Sequence, residues 1–278
     1  MSVVEKPGKS ERNLNSEGID SPEYAKLRRN PEYEAMNHRL IELVPRDVDH
    51  LVDVGCGDGA VTELLVNALP GAEVTGVDPT GVLVEAARAR LGSRAVFHEG
   101  DAASVSALLP PASQELAVLA NCVHLVPELP EAFAALRTVI RPGGRLLISS
   151  AFYSGAESPG DLSFYADLIA TARKAARAEG LTPQRRPAGR PDSLRRTPED
   201  YRAALLEAGF EPVTCQEVPF TLGRTFLAAL CATPMFASAA LPGVPRDQAA
   251  RLLTQALDGA GEAVTITRRC AYLTAVRP

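Results

Sequence analysis

The stretch that decides the fold is LVDVGCGDGA, residues 51–60. A short apolar run with one acidic residue, Asp53, leads into glycines at positions 55, 57 and 59. The run is typical of a buried parallel strand. Glycines directly after it permit a tight turn and let the backbone approach a ligand closely. Because ligands of open α/β sheets lie beyond the carboxyl ends of the strands, the stretch predicts a ligand-binding turn between a first strand and a first helix.

Segments of two kinds alternate through the middle of the chain. Between residues 50 and 153, five apolar strand-like runs are separated by amphipathic helix-like runs. This alternation predicts βαβ units and a mostly parallel sheet. Two further strand-like segments, EPVTCQEVPF and EAVTITRRCAYLTAVRP, follow in the carboxyl-terminal part.

The remaining segments are predicted from their composition and capping residues. Residues 1–20 are polar and of mixed charge, and we expect a disordered tail there. Residues 21–45 contain two helical pieces, each opened by a capping residue and a proline. The segments 154–196 and 220–262 interrupt the alternation and are interpreted as cap insertions. We therefore predict a single domain over residues 21–278.

Composition narrows the classes of function. The chain has 278 residues and a net charge of −5, which disfavours general nucleic-acid binding. Its five cysteines are widely spaced and include no CxxC pair, so neither a disulfide framework nor a zinc site is expected. No apolar stretch approaches the length of a membrane span, and the first residues lack the apolar core of a signal peptide. We expect a cytoplasmic protein, and its richness in Ala, Arg, Gly and Pro suggests a bacterial one.

Two ligand classes use a turn of this kind. Gly55, Gly57 and Ala60 formally satisfy the GxGxxA pattern of dinucleotide-binding turns. Asp53 precedes them by two residues, and its charge would repel a pyrophosphate but attract an ammonium or sulfonium group. The residues thus favour a cationic ligand, while an NAD(P)-dependent reductase stays open as an alternative.

Five ordered motifs resemble those of the class I S-adenosylmethionine-dependent methyltransferases that act on small molecules. The motifs are VDVGCGDG at 52–59, TGVDPT at 75–80, HEGDAA at 98–103, LAVLANCVHLV at 116–126 and LRTVIRPGGRLLIS at 136–149. The resemblance covers residues 45–153 and, through LLEAGFEPV, residues 197–219. It implies an α/β fold: a Rossmann-like, seven-stranded, mostly parallel sheet with helices on both faces, an antiparallel last strand and helical cap insertions.

The same resemblance implies S-adenosylmethionine as cofactor, no metal, and a set of cofactor-binding residues. Asp78 would take the ribose hydroxyls, Asp101 the adenine amino group, and Asn121 would lie beneath the methionine part. The complete set is Asp53, Gly55, Cys56, Gly57, Asp78, Pro79, Asp101, Ala102 and Asn121.

Residues near the predicted mouth of the sheet are candidates for catalysis and acceptor binding. His124 lies three positions after Asn121, where an imidazole could act as a general base or serve packing. Phe152 and Tyr153 follow the fifth strand and are expected to wall the acceptor pocket. Tyr33 lies on the amino-terminal helices, which the resemblance implies as a lid and which core packing explains equally well.

Two segments of the sequence bear on the nature of the acceptor. The apolar segment RTFLAALCATPMFASAALPG, residues 224–243, favours a cap over the site and hence a hydrophobic small molecule. Eight basic residues between 173 and 196 form either a solvated face or a site for an anionic or carrier-linked acceptor. No nucleic-acid or membrane partner is expected.

The function predicted from these features is methyl transfer to oxygen or carbon of a partly hydrophobic metabolite, in specialised metabolism, by a monomer or homodimer. The alternatives are an S-adenosylmethionine-binding protein without methyl transfer (a cyclase or partner-binding scaffold) and the reductase.

Overall fold

The computed structural model describes residues 21–185 and 196–278. The predicted disordered tail, residues 1–20, lies outside the described residues. So do Arg186, Arg190 and Arg195 of the basic segment.

Seven strands form one sheet in the described part of the chain, as the sequence predicts. They are β1 (His50–Val54), β2 (Glu73–Asp78), β3 (Val96–Glu99), β4 (Gln114–Ala120), β5 (Ile140–Ser150), β6 (Val213–Gly223) and β7 (Thr265–Val276). Their spatial order is β3-β2-β1-β4-β5-β7-β6. Strands β1 to β5 pair in parallel, whereas β7 runs antiparallel to both β5 and β6. The Rossmann-like fold and the antiparallel last strand are confirmed.

Helices cover both faces of this sheet. They are α1 (Pro22–Arg28), α2 (Pro31–Ile41), α3 (Ala60–Ala68), α4 (Gly81–Leu91), α5 (Val105–Leu108), α6 (Leu129–Val139), α7 (Pro159–Ala178), α8 (Pro198–Glu207), α9 (Arg224–Ala232), α10 (Pro234–Ala240) and α11 (Arg246–Asp258). Within the described ranges, none is long and apolar enough to cross a membrane. All five cysteines are free thiols.

The amino-terminal helices are tied to distant parts of the sheet. The hydroxyl of Tyr272 donates to the carbonyl of Met36 at 2.8 Å. The backbone N–H of Gly223 donates to Glu32 at 3.0 Å, which fixes α2 to the end of β6. Tyr24 and Leu27 of α1 are buried in the same apolar core as α9. These helices therefore pack as part of the core, and their opening as a lid stays a prediction.

The two interruptions of the alternating pattern are helical where the structure describes them. Segment 220–262 contributes α9, α10 and α11, and segment 154–196 contributes α7. The apolar faces of α7, α9, α10 and α11 share one core with α1 and α2. The single-domain assignment and the role of these helices as a cap stay predictions.

Gly76 is placed in β2 because the neighbouring strand leaves no room for a side chain. The ring of Phe97 on β3 lies where a Cβ at this position would stand, far inside van der Waals contact. Since β2 ends two residues later at Asp78, the packing of Gly76 sets the position of that carboxylate.

We predict that Gly76→Ala lowers the free energy of unfolding by about 1–3 kcal/mol, because the ring and the strand must move to admit the methyl group. Denaturant unfolding measures the change. Gly71→Ala is the matched control, since nothing lies within 4 Å of its added Cβ. Equal stabilities for the two variants would contradict the packing argument.

Candidate active site

A cavity of about 610 Å³ lies at the carboxyl ends of β1, β2 and β4. Its size falls in the range of small-molecule pockets. Among the predicted cofactor residues, those that line it are Gly55, Gly57, Asp78, Pro79, Asp101, Ala102 and Asn121. The structure thus brings together residues that are separated by up to 66 positions in the chain.

The glycine turn forms one wall of the cavity and requires glycine for two reasons. Gly55 and Gly57 have φ angles of 76° and 56°, in the left-handed region that side chains disfavour. A Cβ on Gly55 would lie 2.6 Å from Sγ of Cys122, and one on Gly57 would lie 2.8 Å from Nη1 of Arg28. The turn is therefore packed closely between β4 and α1.

Asp78 fastens this turn to the end of β2. One carboxylate oxygen accepts from the N–H of Gly57 and the other from the N–H of Thr80, both at 2.9 Å. The side chain is buried, yet it lines the cavity. Its oxygens keep further lone pairs that could accept hydrogen bonds from ligand hydroxyls.

Asp53 lies beneath the turn and does not line the cavity. It is fully buried and accepts a hydrogen bond from the hydroxyl of Thr62 at 2.7 Å. Its other oxygen, Oδ1, has no partner in the described residues. Burial, followed by the nearby charge of Asp78, raises the pKa of Asp53 to about 7, although the Thr62 bond opposes the shift.

Cys56 also differs from its predicted role. Its side chain is buried in the apolar cluster with Phe97 and does not line the cavity. Burial raises the pKa of this thiol, and the nearby charges of Asp53 and Asp78 raise it further. We conclude that Cys56 fills space behind the turn.

The far walls of the cavity are formed at β4 and after β3. Asn121 has a positive φ of 51°, which its short amide side chain tolerates, and its Oδ1 accepts from the N–H of Ala151 at 3.0 Å. Asp101 is exposed and accepts from the N–H of Ser104, while Ala102 beside it is buried.

The candidate catalytic residue, His124, is half-buried and is not among the residues that line the cavity. Its ring centroid is 4.8 Å from that of Phe152, and its Nδ1 is buried without a partner in the described residues. Burial, with a smaller contribution from Arg268, lowers the pKa of His124 to about 3. The imidazole is therefore neutral at physiological pH and a weak base.

Of the three predicted acceptor residues, Tyr33 is the one that lines the cavity, together with Tyr24. Phe152 faces His124 and lies 5.3 Å from the guanidinium carbon of Arg268. Tyr153 is buried and donates its hydroxyl to Glu217 on β6 at 2.5 Å, so its polar end is occupied.

A second group of side chains surrounds Arg268. We call it the Arg268 cluster, formed by His124, Phe152, Glu157, Tyr165 and Arg268. Arg268 is 5% exposed and pairs with Glu157 at 2.8 Å. Its Nε and the hydroxyl of Tyr165 are buried without a partner in the described residues. Burial raises the pKa of Tyr165 to about 12, so its hydroxyl remains a donor.

Sequence reasoning missed several residues that line the cavity. Arg28, at the end of α1, lies one helical turn after Tyr24 and faces the same cavity. Glu128 and Glu131 enter from the start of α6. The spacing of Tyr24 and Arg28 is a signal of a shared helix face, but the pattern alone does not show which surface that face meets.

The basic segment is partly explained by contacts to the backbone. Arg173 donates to the carbonyls of Pro183 and Gln184. Arg196 donates to the carbonyls of Val126 and Pro127 at the edge of the cavity. These two arginines therefore stabilise loops. In the described parts of the chain, no group of three His, Cys, Asp or Glu could hold a metal ion.

Comparison with known proteins shows that the central part of the chain is similar to methyltransferases. Residues 51–144 match a family model described as a methyltransferase domain. A trans-aconitate 2-methyltransferase of Paracidovorax citrulli (strain AAC00-1) is 38% identical over 118 residues, which cover 40% of this chain and 42% of that protein. The resemblance to class I methyltransferases is confirmed for this segment, while the chain spans less than half the length of this relative.

Solved structures extend the likeness to the fold of most of the chain. Phosphoethanolamine N-methyltransferase 2 of Haemonchus contortus, in complex with phosphomonomethylethanolamine and S-adenosylhomocysteine, has a TM-score of 0.59 and 14% identity, over 96% of this chain and 60% of that one. The [4+2]-cyclase SpnF has a TM-score of 0.54 and 22% identity, over 88% and 82%. At these identities the likeness concerns the fold alone.

The buried Asp53 predicts a pH-dependent stability. Because the pKa of Asp53 is raised in the folded state, its protonated form is favoured there, and stability falls as pH rises from about 4 to 7. The loss is at most about 1.4 kcal/mol per pH unit. Asp53→Asn removes this contribution, so its free energy of unfolding should increase relative to wild type between pH 5 and 7.

Denaturant unfolding at pH 5, 6, 7 and 8 measures the difference. Asp49→Asn is the control, because Asp49 is exposed at the opposite end of the same strand, and this variant should follow the wild-type pH profile. Parallel profiles for Asp53→Asn and wild type would contradict a raised pKa at Asp53.

Proposed function

We propose that the protein is an S-adenosylmethionine-dependent methyltransferase acting on oxygen or carbon of a partly hydrophobic small molecule, in specialised metabolism. The match of residues 51–144 and the methyltransferase named among the relatives support the reaction class. The residues present fit the cofactor, as the charges of the cavity indicate.

The observation that carries the proposal is the excess of acidic side chains around the cavity. Asp78, Asp101, Glu128 and Glu131 line it, against one basic residue, Arg28, within the described part of the chain. This charge favours a ligand with a sulfonium and an ammonium group and disfavours the pyrophosphate of a dinucleotide. An NAD(P)-dependent reductase is therefore the weaker alternative.

In this proposal each wall of the cavity holds one part of the cofactor. Asp78 accepts from the ribose hydroxyls, and Asp101 with the backbone of Ala102 contacts the adenine. Asn121 and the glycine turn border the methionine end. Asp53, beneath the turn, acts as a positioning residue by holding Thr62 at the first turn of α3.

When bound, S-adenosylmethionine would supply an electrophilic methyl group. The task of this chain is then to place the acceptor atom in line and to exclude water. His124, neutral and of low pKa, is a poor general base, and we assign it to packing against Phe152. Methyl transfer would rest on proximity and on a nucleophilic acceptor atom.

We place the acceptor between the cavity and the Arg268 cluster, beneath α7 and α10. The support is that three buried polar atoms there have no partner among the described residues: Nδ1 of His124, Nε of Arg268 and the hydroxyl of Tyr165. Leaving such atoms unpaired costs about 1–3 kcal/mol each, and an acceptor oxygen could satisfy two of them. The rings of Phe152, Phe164, Tyr165 and Phe236 supply apolar surroundings.

A non-methylating role is the second candidate, because a neighbour with the same fold, SpnF, is described as a cyclase. The two functions share cofactor binding and differ in the fate of the methyl group. Isotope labelling therefore discriminates between them.

The first test is binding and transfer by wild type. S-adenosylhomocysteine should raise the melting temperature, whereas NAD(P) should not. Trideuteromethyl-labelled S-adenosylmethionine, incubated with a low-molecular-weight metabolite extract, should place its label in a product detected by mass spectrometry. Binding without label in any product would favour the non-methylating candidate, and no binding would contradict the proposal.

Asp78→Asn should weaken S-adenosylhomocysteine binding about 10- to 100-fold, because charged hydrogen bonds at the turn and the ribose are lost. Titration calorimetry gives the dissociation constant. Glu73→Gln is the matched control, since Glu73 is exposed at the opposite end of the same strand and should leave affinity unchanged.

Tyr165→Phe should leave the free energy of unfolding unchanged or slightly higher, because no group in the described parts of the chain bonds to the hydroxyl. At limiting extract, labelled product should form about 3- to 10-fold more slowly. Tyr201→Phe is the control: its hydroxyl is also buried and unpartnered in the described residues, but Tyr201 belongs to α8 and packs in the other core. Equal rates for the two variants would refute the acceptor role of Tyr165.

A further inference from the structure

We propose that Arg28 binds the α-carboxylate of the cofactor and thereby selects ligands that carry this group. The inference rests on the proposed binding of S-adenosylmethionine. It adds the residue that recognises the only negative charge on that ligand.

The position of Arg28 supports the assignment. Its side chain is 13% exposed and lines the cavity. Nη1 lies 3.2 Å from Oδ1 of Asp58 and beside Gly57 of the glycine turn, while the guanidinium carbon is 5.1 Å from the ring of Tyr24. The planar group is therefore held in one orientation against the turn.

The guanidinium has hydrogen-bonding capacity to spare. Its Nε is buried and has no partner in residues 21–185 and 196–278. An arginine fork can bind two carboxylates through different edges. The pairing with Asp58 uses one nitrogen, Nη1, so the rest of the fork remains for a second anion.

The ion pairs around Asp58 also leave Arg28 available to bind an anionic group of a ligand. Asp58 pairs with Arg90 as well, at 3.2 Å through its other oxygen. One carboxylate thus faces two guanidinium groups, so Asp58 alone does not neutralise the charge of Arg28. Arg90 does not line the cavity, which leaves Arg28 as the group that presents this charge to a ligand.

The acidic lining of the cavity explains why a positive charge at Arg28 would select between ligands. Four acidic residues line it, so a ligand carrying only positive charges would otherwise be preferred. Decarboxylated S-adenosylmethionine has the same nucleoside, sulfonium and amine but lacks the carboxylate. Arg28 would repel the cationic end of this analogue and attract the carboxylate of the complete cofactor.

The test compares the affinities for S-adenosylmethionine and its decarboxylated analogue by titration calorimetry. Wild type should prefer S-adenosylmethionine, and Arg28→Gln should lower its affinity for S-adenosylmethionine about 10- to 100-fold. Binding of the decarboxylated analogue should hold or improve, so the preference vanishes or reverses. Arg29→Gln is the matched control, because this neighbouring arginine is exposed, does not line the cavity and should keep the wild-type preference.

Asp58→Asn provides a second variant that acts in the opposite direction. Removing the competing carboxylate frees Arg28, so the preference for S-adenosylmethionine should rise at least threefold. If Arg28→Gln does not fold, the ligand preference of Asp58→Asn tests the assignment of Arg28 on its own.

The outcomes separate the two proposals. If wild type binds neither ligand, the proposed function fails. If wild type binds S-adenosylmethionine but folded Arg28→Gln keeps the wild-type preference, or Asp58→Asn leaves it unchanged, the assignment of Arg28 is overturned while the proposed function stands.

Discussion

The structure of the site depends on a carboxylate that holds a glycine turn. Asp78 at the end of β2 accepts from the backbone of Gly57 on the turn after β1 and from Thr80 at the start of α4. Neighbouring parallel strands end side by side, so one side chain can join both connections. The turn is kept open towards the cavity by this bond and by the absence of side chains on the glycines.

Burial divides the acidic residues near the turn into two kinds. Asp78, although buried, has two N–H donors and lines the cavity, whereas Asp53 has one hydroxyl partner and lies in the core. Desolvation raises the pKa of Asp53 to about 7. The protonation state of this carboxyl group therefore changes near neutral pH. Two carboxylates that look alike in the sequence therefore serve different tasks.

Distant segments complete the walls of the cavity. The first helix brings Tyr24 and Arg28, and α2 is fixed to β6 and β7 through Glu32 and Met36. Helices α9 to α11 pack on the same apolar core as α1. The helix that brings Tyr24 and Arg28 to the cavity therefore belongs to one continuous body of packed side chains.

The sequence by itself determined the order of strands and helices, the glycine turn and the cavity residues Asp78, Asp101 and Asn121. The strands, helices and turn follow from local patterns, because strand ends and turns leave periodic and compositional signals, whereas the three residues followed from the resemblance of their motifs to a known family. Only the tertiary structure decided that Asp53 and Cys56 do not line the cavity, that His124 is half-buried with a lowered pKa, that Tyr153 is bound to Glu217, and that Arg28 faces the turn. Side-chain direction and burial depend on contacts between residues far apart in the chain, and a single sequence carries no local record of them.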